Sequence, residues 1–269
     1  MKKFIFYTIL ILGAVVFLYP FLWMLAGTFK PEIEIPNLNL ISHHLTLQSY
    51  KNVFFKIPIL RSFLNSVFVS VSVTSSVLFF GSMVGYALAR LNFRGKNLIF
   101  TIILFTMMVP FQITLIPNYI LMTKFHFTDT YWALILPGML SAFGILLFTQ
   151  FFKGIPNELL DAARIDGCSE YSVLFKIVWP LSKPVIVTVG ILTFMANWNS
   201  VLWPLIVIRQ RALMTMPQLV TIFVVGGQAE GQLGTKLAAA TLLAIPVVLL
   251  YSFFQKYFIE SMATSGLKG

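Results

Sequence analysis

Six stretches of this chain stay apolar for long enough that a lipid bilayer is the natural solvent for them, and this restricts the fold more than any other feature. They run from Phe4 to Gly27, Phe63 to Ala89, Leu98 to Met122, Tyr131 to Phe152, Val185 to Ile208 and Leu237 to Phe258. A spanning helix needs roughly 20 apolar residues, because within lipid every backbone polar group must find its partner inside the segment. Composition agrees, with 58% of 269 residues hydrophobic, only 10% charged and a mean hydropathy of +0.87. The expected fold class is an all-α membrane protein with six transmembrane helices. An even number of crossings puts both termini on one side.

Lys2 and Lys3 precede the first stretch as they would a secretion signal. A signal core, however, covers only about 7 to 15 residues and ends at a small-residue cleavage site. This stretch is longer and lacks that site, so it reads as a retained helix. Lysine and arginine accumulate on the inner side of a membrane, most reliably in short loops beside helix ends. With the N-terminus inside, the inner loops hold a modest excess of them, and Arg90, Arg94 and Lys96 crowd a single short turn. The expected organisation is an N-terminal helix over 1–30, an extracytoplasmic loop over 31–62, a five-helix core over 63–259 with a cytoplasmic loop at 153–183, and a cytoplasmic tail over 260–269. The net charge of +10 is spread over loops on both faces rather than gathered in one stripe, so nucleic acid is not an expected partner.

Several chemistries are disfavoured. Cys168 stands alone, which excludes an intrachain disulfide and a thiolate cluster, and His43 and His44 are adjacent and so diverge by about 100° on a helix. Neither a metal nor any other cofactor is expected. Ionisable residues are almost missing from the apolar stretches away from their ends, which argues against a proton relay or voltage sensor. The chain has no His-Glu-x-x-His helix, no Gly-x-Ser-x-Gly elbow and no Gly-x-x-x-x-Gly-Lys-Ser/Thr loop. It is not expected to be an enzyme, and energy for any work has to come from another polypeptide.

Neutral polar residues and prolines do interrupt the apolar stretches: Pro110, Gln112, Pro117 and Asn118 in the third, Pro137 and Gly138 in the fourth, Asn197, Asn199 and Pro204 in the fifth. Proline frees backbone groups that must then be met by protein or by a water-filled cavity, which favours a path through the bundle. Two readings stay open for Gln112, Asn118, Asn197 and Asn199. They bond neighbouring helices, or together with Trp198 they offer amide and aromatic contacts to a hydroxyl-rich solute.

Asn157 to Pro184, NELLDAARIDGCSEYSVLFKIVWPLSKP, is a polar island in this greasy chain. It reads as two short helices. Asn157 can cap the first, Glu158 and Asp161 suit its positive end, and Asp166-Gly167 supplies a left-handed stop. Ser169 can cap the second, and Leu174, Ile177, Val178 and Leu181 repeat at i, i+3, i+4 and i+7 along one face. Glu158, Asp161 and Ile165 share a stripe of the first helix that sets acid beside apolar surface, a plausible docking face.

At this point the chain resembles a known family. Asp161-Ala162-Ala163, Gly167, Ile177 and Pro180 match in spacing the EAA loop of ATP-binding cassette importer permeases, with Asp161 where Glu is usual and Trp179 where Leu is usual. Further segments resemble the carbohydrate branch, close to the second permease of maltose and related sugar importers: Tyr86-Ala87-Leu88-Ala89-Arg90, Met108-Val109-Pro110 through Ile116-Pro117, Asn197-Trp198-Asn199 with Trp203-Pro204-Leu205, and the tail from Gln255 to Gly269. The resemblance implies the type I importer permease (MetI-like) fold in a bacterial or archaeal cell membrane. It also implies pairing with a second, different permease, docking of two ATPase subunits, and delivery of a carbohydrate by an extracytoplasmic binding protein. Glu158, Asp161, Ala162, Ala163, Asp166, Gly167, Ile177 and Pro180 would then couple to the ATPase, with Asp161 as acidic anchor and with Lys268 and Gly269 as contacts of the tail. Gln112, Asn118, Asn197, Trp198 and Asn199 would be the substrate-path candidates. A glycerol-phosphate importer is the nearest alternative. A stand-alone secondary transporter and a membrane scaffold are the others.

Overall fold

The computed structural model describes residues 2–37, 39–42, 44–227, 229 and 231–266. Among them there is no strand. In chain order the helices are α1 (Lys2–Gly27), α2 (Gln48–Lys56), α3 (Ile59–Arg90), α4 (Lys96–Thr106), α5 (Phe111–Lys124), α6 (Tyr131–Ile135) and α7 (Ala142–Lys153). They continue as α8 (Asn157–Ile165), α9 (Glu170–Leu181), α10 (Lys183–Trp198), α11 (Leu202–Val207), α12 (Met216–Val225) and α13 (Leu233–Gly266).

Three helices, α1, α3 and α13, are long and apolar enough to cross a membrane unaided, and up to six spans result if each bent helix pair counts as one. The six apolar stretches are not all single helices, and three of them are interrupted. The third stretch is broken between α4 and α5, which meet at 100°. Proline explains why. Pro110 has no N–H and pushes its predecessor away from helical ψ, so α4 ends in tight i→i−3 bonds from Met107, Met108 and Val109 and α5 starts afresh. The fourth stretch bends by 41° after the turn carrying Pro137 and Gly138, and Ser141 caps α7 by accepting from the Gly144 N–H at 3.1 Å. The fifth is not one helix either: α10 stops at Trp198 and α11 restarts at Leu202. Averaged hydropathy has no means of registering such a break.

Packing divides the chain into two units, 1–63 with 215–248 and 64–214 with 249–269. In the first, the end of α1 packs against α13 so tightly that a Cβ on Gly27 would lie 2.7 Å from a Leu237 methyl. The Glu32 carboxylate accepts the N–H groups of Leu233 and Gly234 at the start of α13, where a helix leaves its donors unmet. The apolar window of α1 is entirely unburied, which leaves its surface to lipid or to another subunit.

The second unit has the larger apolar core, built on the fully buried Val73, Val77, Phe148, Phe152, Val173 and Val178. It forms because α3 and α7 touch backbone to backbone. A Cβ on Gly85 would come within 2.6 Å of the Phe148 Cβ and 3.2 Å of the Thr149 nitrogen, so only glycine allows the approach. At the far end of this unit Asn65 donates to the carbonyls of Ala212 and Met214, at 3.0 and 2.9 Å, and accepts from Tyr131 at 2.7 Å.

Candidate functional site

The polar island folds as α8 and α9. Asn157 opens α8 but does not cap it, which corrects the expectation from sequence. Pro156 occupies the cap position with extended ψ, and the Asn157 side-chain oxygen accepts from the Arg90 guanidinium instead. Leu160 and Ala163 are buried beneath α8, while Glu158, Asp161, Ala162 and Ile165 are exposed, Ile165 to 86%. The two alanines thus face opposite ways: Ala163 packs into the core and Ala162 is free for a close approach from outside.

Gly167 ends α8 at φ +79°. The Gly167 N–H donates to the Arg164 carbonyl and the Cys168 N–H to that of Ala163, both at 3.0 Å, which is the Schellman arrangement. A Cβ there would meet nothing within 4 Å, so the backbone conformation and not space demands glycine. Asp166 closes the helix as its C-cap residue and is exposed. Ser169 caps α9 as expected, accepting the Ser172 N–H at 3.3 Å.

The apolar stripe expected on α9 holds for Leu174, Ile177 and Val178 and fails at Leu181. Val173–Val178 forms a π-helical turn that winds wider than 3.6 residues, so Val173 joins Leu174 and Val178 inside while Leu181 is half exposed. Pro180, exposed just beyond, has no N–H to continue the ladder, and it is here that the register changes. Ile177 packs against the core while still partly exposed.

An ion network that the sequence reading missed ties the two helices together. Arg164 reaches Asp161 at 3.0 Å and grips both oxygens of Glu170, at 2.9 and 3.3 Å. The Tyr86 hydroxyl of α3 donates to Glu170 at 2.5 Å. Arg164 on α8 and Glu170 in the first turn of α9 lie outside the six apolar stretches of the sequence, so their ionisation has its ordinary meaning. The bond to Glu170 is the largest of the influences that raise the Arg164 pKa. The same bond holds the Glu170 carboxyl below its usual range against the opposing effect of burial. The signal was present in sequence, as base and acid on either side of a glycine turn, but only the reversal at Gly167 brings them side by side.

The substrate-path candidates are scattered. Gln112 is exposed in the first turn of α5 and Asn118 half-buried further along it. The side-chain amides of Asn197 and Asn199 donate to Thr193 and Met195, carbonyls of their own helix four residues back, at 2.8 and 2.9 Å. Among the described residues these amide bonds stay on the residues' own helix rather than crossing to a neighbour. Trp198 is buried and stacks on Phe194 at 5.8 Å. A cavity is present within each unit among the described residues. That of the first, about 550 Å³, is lined by polar groups that include Lys30, Glu32, Gln48, Asn52 and Gln232. That of the second, about 630 Å³, is lined by apolar residues including Phe80, Met83, Pro137 and Leu140. None of the path candidates lines either. Lys268 and Gly269 lie outside the described residues.

Comparison with known proteins places this geometry. The chain is 37% identical over 262 residues to the arabinooligosaccharides transport system permease protein AraQ of Halalkalibacterium halodurans, covering 95% of this chain and 93% of that protein. It is 31% identical over 267 residues to the sn-glycerol-3-phosphate transport system permease protein UgpE of Escherichia coli O1:K1, covering 96% and 95%. In fold it matches a chain of a bacterial ABC transporter involved in the import of the acidic polysaccharide alginate, with a TM-score of 0.84 over 96% of both chains at 23% identity. The sequence profile of one family matches residues 77–264, most of the chain and all of α8 and α9. The chain therefore belongs to the binding-protein-dependent transport system inner membrane components, the permease subunits of ABC transporters.

Proposed function

We propose that this permease carries a carbohydrate into the cytoplasm and is driven by ATP hydrolysis on partner subunits that dock on α8. The observation that carries the reading is the surface of α8, where Asp161, Ala162 and Ile165 stand exposed on a helix whose other face is buried in the core. Asp161 supplies an anionic anchor, Ala162 a place for close approach and Ile165 an apolar contact. Closing an ATPase dimer would push such a docked helix as a lever, and the membrane helices would rock between outward-open and inward-open states. The assembly comprises a second, different permease, two ATPase subunits and an extracytoplasmic binding protein. Both termini lie in the cytoplasm, where the tail with Lys268 and Gly269 reaches the ATPase. Gln112, Asn118, Asn197 and Asn199 contribute to the solute route, with Trp198 packed behind them.

A second substrate reading has a specific observation behind it. Arg209 and Arg211 are exposed next to the end of α11, and one relative is a permease for sn-glycerol-3-phosphate. The test is uptake into proteoliposomes containing the whole transporter, with an arabino-oligosaccharide in one arm and glycerol 3-phosphate in the other. Uptake that needs ATP and the binding protein is expected for the oligosaccharide. Uptake of glycerol phosphate alone would make the anion the substrate. Solute flux without any ATPase subunit would overturn the importer reading.

A further inference from the structure

The segment Tyr86-Ala87-Leu88-Ala89-Arg90 closes α3, and the docking reading gives it no task. Its two polar residues, with Ser82 one turn earlier, recur every four residues and so form one stripe along the helix. All three point at the polar island. Arg90 donates to the carbonyl of Phe152 at 2.9 Å, to that of Ile155, and to the side-chain oxygen of Asn157 at the start of α8. Tyr86 donates to Glu170, which holds Arg164 at the end of α8. Ser82 accepts the indole N–H of Trp179 at 3.0 Å, near the end of α9. Below these bonds Phe79 of α3 stacks on Phe175 at 5.5 Å, and Phe175 meets Trp179 edge-on at 5.3 Å.

We propose that Ser82, Tyr86 and Arg90 form a brace that makes α8 and α9 move with α3 as one rigid body, so that force delivered to α8 reaches the membrane instead of being lost in a local pivot. Such a pivot is the default without the brace. The segment α8 sits between Gly154 and the left-handed Gly167, and only Leu160 and Ala163 anchor its underside in the core. Two apolar contacts let a short helix roll. Hydrogen bonds from one neighbouring helix to its start, to the residue that clasps its end and to the helix beyond fix all its axes. The brace also accounts for Trp179 at a position where leucine is usual, since only an indole carries the N–H that Ser82 accepts. These are positioning residues: none of them is offered to the ATPase, and their role rests on the docking function proposed for α8.

The test compares solute transported per ATP hydrolysed in the complete transporter, reconstituted with its partner subunits. Tyr86→Phe removes one hydroxyl and Arg90→Lys keeps the charge but cannot reach three acceptors. The double variant is expected to retain bound ATPase and nucleotide hydrolysis while solute per ATP falls about tenfold, the scale of losing a charge-assisted hydrogen bond. Wild-type solute per ATP in the double variant would overturn the brace and leave the docking reading intact, whereas loss of ATPase from Asp161→Lys tests docking alone. Spin labels on the unaltered brace, at Asn92 just beyond α3 and at Leu159 on α8, cover the case in which the double variant does not assemble. One unchanged distance in the resting and ATP-trapped states is expected. A second distance on trapping would show that α8 pivots and would overturn the proposal.

Discussion

The two regions to which function is assigned use their polar groups in opposite ways. In the α8–α9 segment three polar side chains are bonded to α3, far away in sequence. Glu170 is tied to Tyr86, Asn157 to Arg90 and Trp179 to Ser82. In the α5 and α10 region Asn197 and Asn199 bond their own helix and Gln112 is exposed. The first pattern is that of a part held in one shape, since each bond removes a way to move. The second is that of polar groups satisfied within one helix or left exposed, which ties nothing to a neighbour. The proposed lever has to be rigid and the proposed route forgiving, and the hydrogen bonds divide along that line.

The contrast breaks most readily at Asp161. Among the described residues its carboxylate pairs with Arg164 alone and is well exposed, so it contributes little to folding. Asp161→Lys would set two cations side by side on α8 and repel a basic partner. Losing one member of a desolvated interfacial pair costs about 2 to 5 kcal/mol. The variant is expected to fold and insert with unchanged yield while the ATPase no longer co-purifies and uptake stops. Normal co-purification and uptake would remove Asp161 from the coupling surface.

Gly167→Pro sharpens the same side of the comparison with a smaller effect. Proline holds φ near −65° and has no N–H, whereas Gly167 stands at +79° and donates to Arg164. Leaving the left-handed region and losing that bond together cost about 2 to 3 kcal/mol. That falls on the turn which sets Arg164 against Glu170. The ATPase is expected to stay bound with hydrolysis continuing, but uptake to fall, because α8 keeps its outer face while its link to α9 is lost. An uptake rate equal to wild type would mean that the turn does not matter for transmission.

How far the sequence foretold these two regions follows from the range of the forces involved. The six apolar stretches, the left-handed Gly167 and the cap at Ser169 are local, and each was visible in its own residues. Pro110 marked a break in the third stretch, but its size of 100° depends on what the following helix packs against, including Phe111 edge-on to Trp203 at 6.2 Å. The stripe on α9 failed at Leu181 because a 3.6-residue period was assumed through a π-helical turn. The spacing of Ser82, Tyr86 and Arg90 was equally plain, yet their partners lie between 62 and 97 residues away. No local pattern names them. For Asn197 and Asn199 the residue types were legible and the bonding was not, since an amide in lipid can satisfy itself on its own helix as well as on a neighbour.

The smallest expected effect probes the forgiving side. If the oxygens of Gln112, Asn197 and Asn199 meet the solute in passing, replacing all three with alanine weakens each contact without leaving a buried partner stranded, since the released carbonyls of Thr193 and Met195 keep their helical bonds. A hydrogen bond in contact with water is worth only about 0.5 to 1.5 kcal/mol. A solute that slides past several of them gains less than the sum. The triple variant is therefore expected to raise the solute concentration for half-maximal uptake a few-fold, with ATPase activity and solute per ATP unchanged, the reverse of what the α3 brace variants do. Unchanged half-saturation would take these three residues off the route. A fall in solute per ATP would instead make the α5 and α10 region part of the lever, and the division drawn between the two regions would not survive.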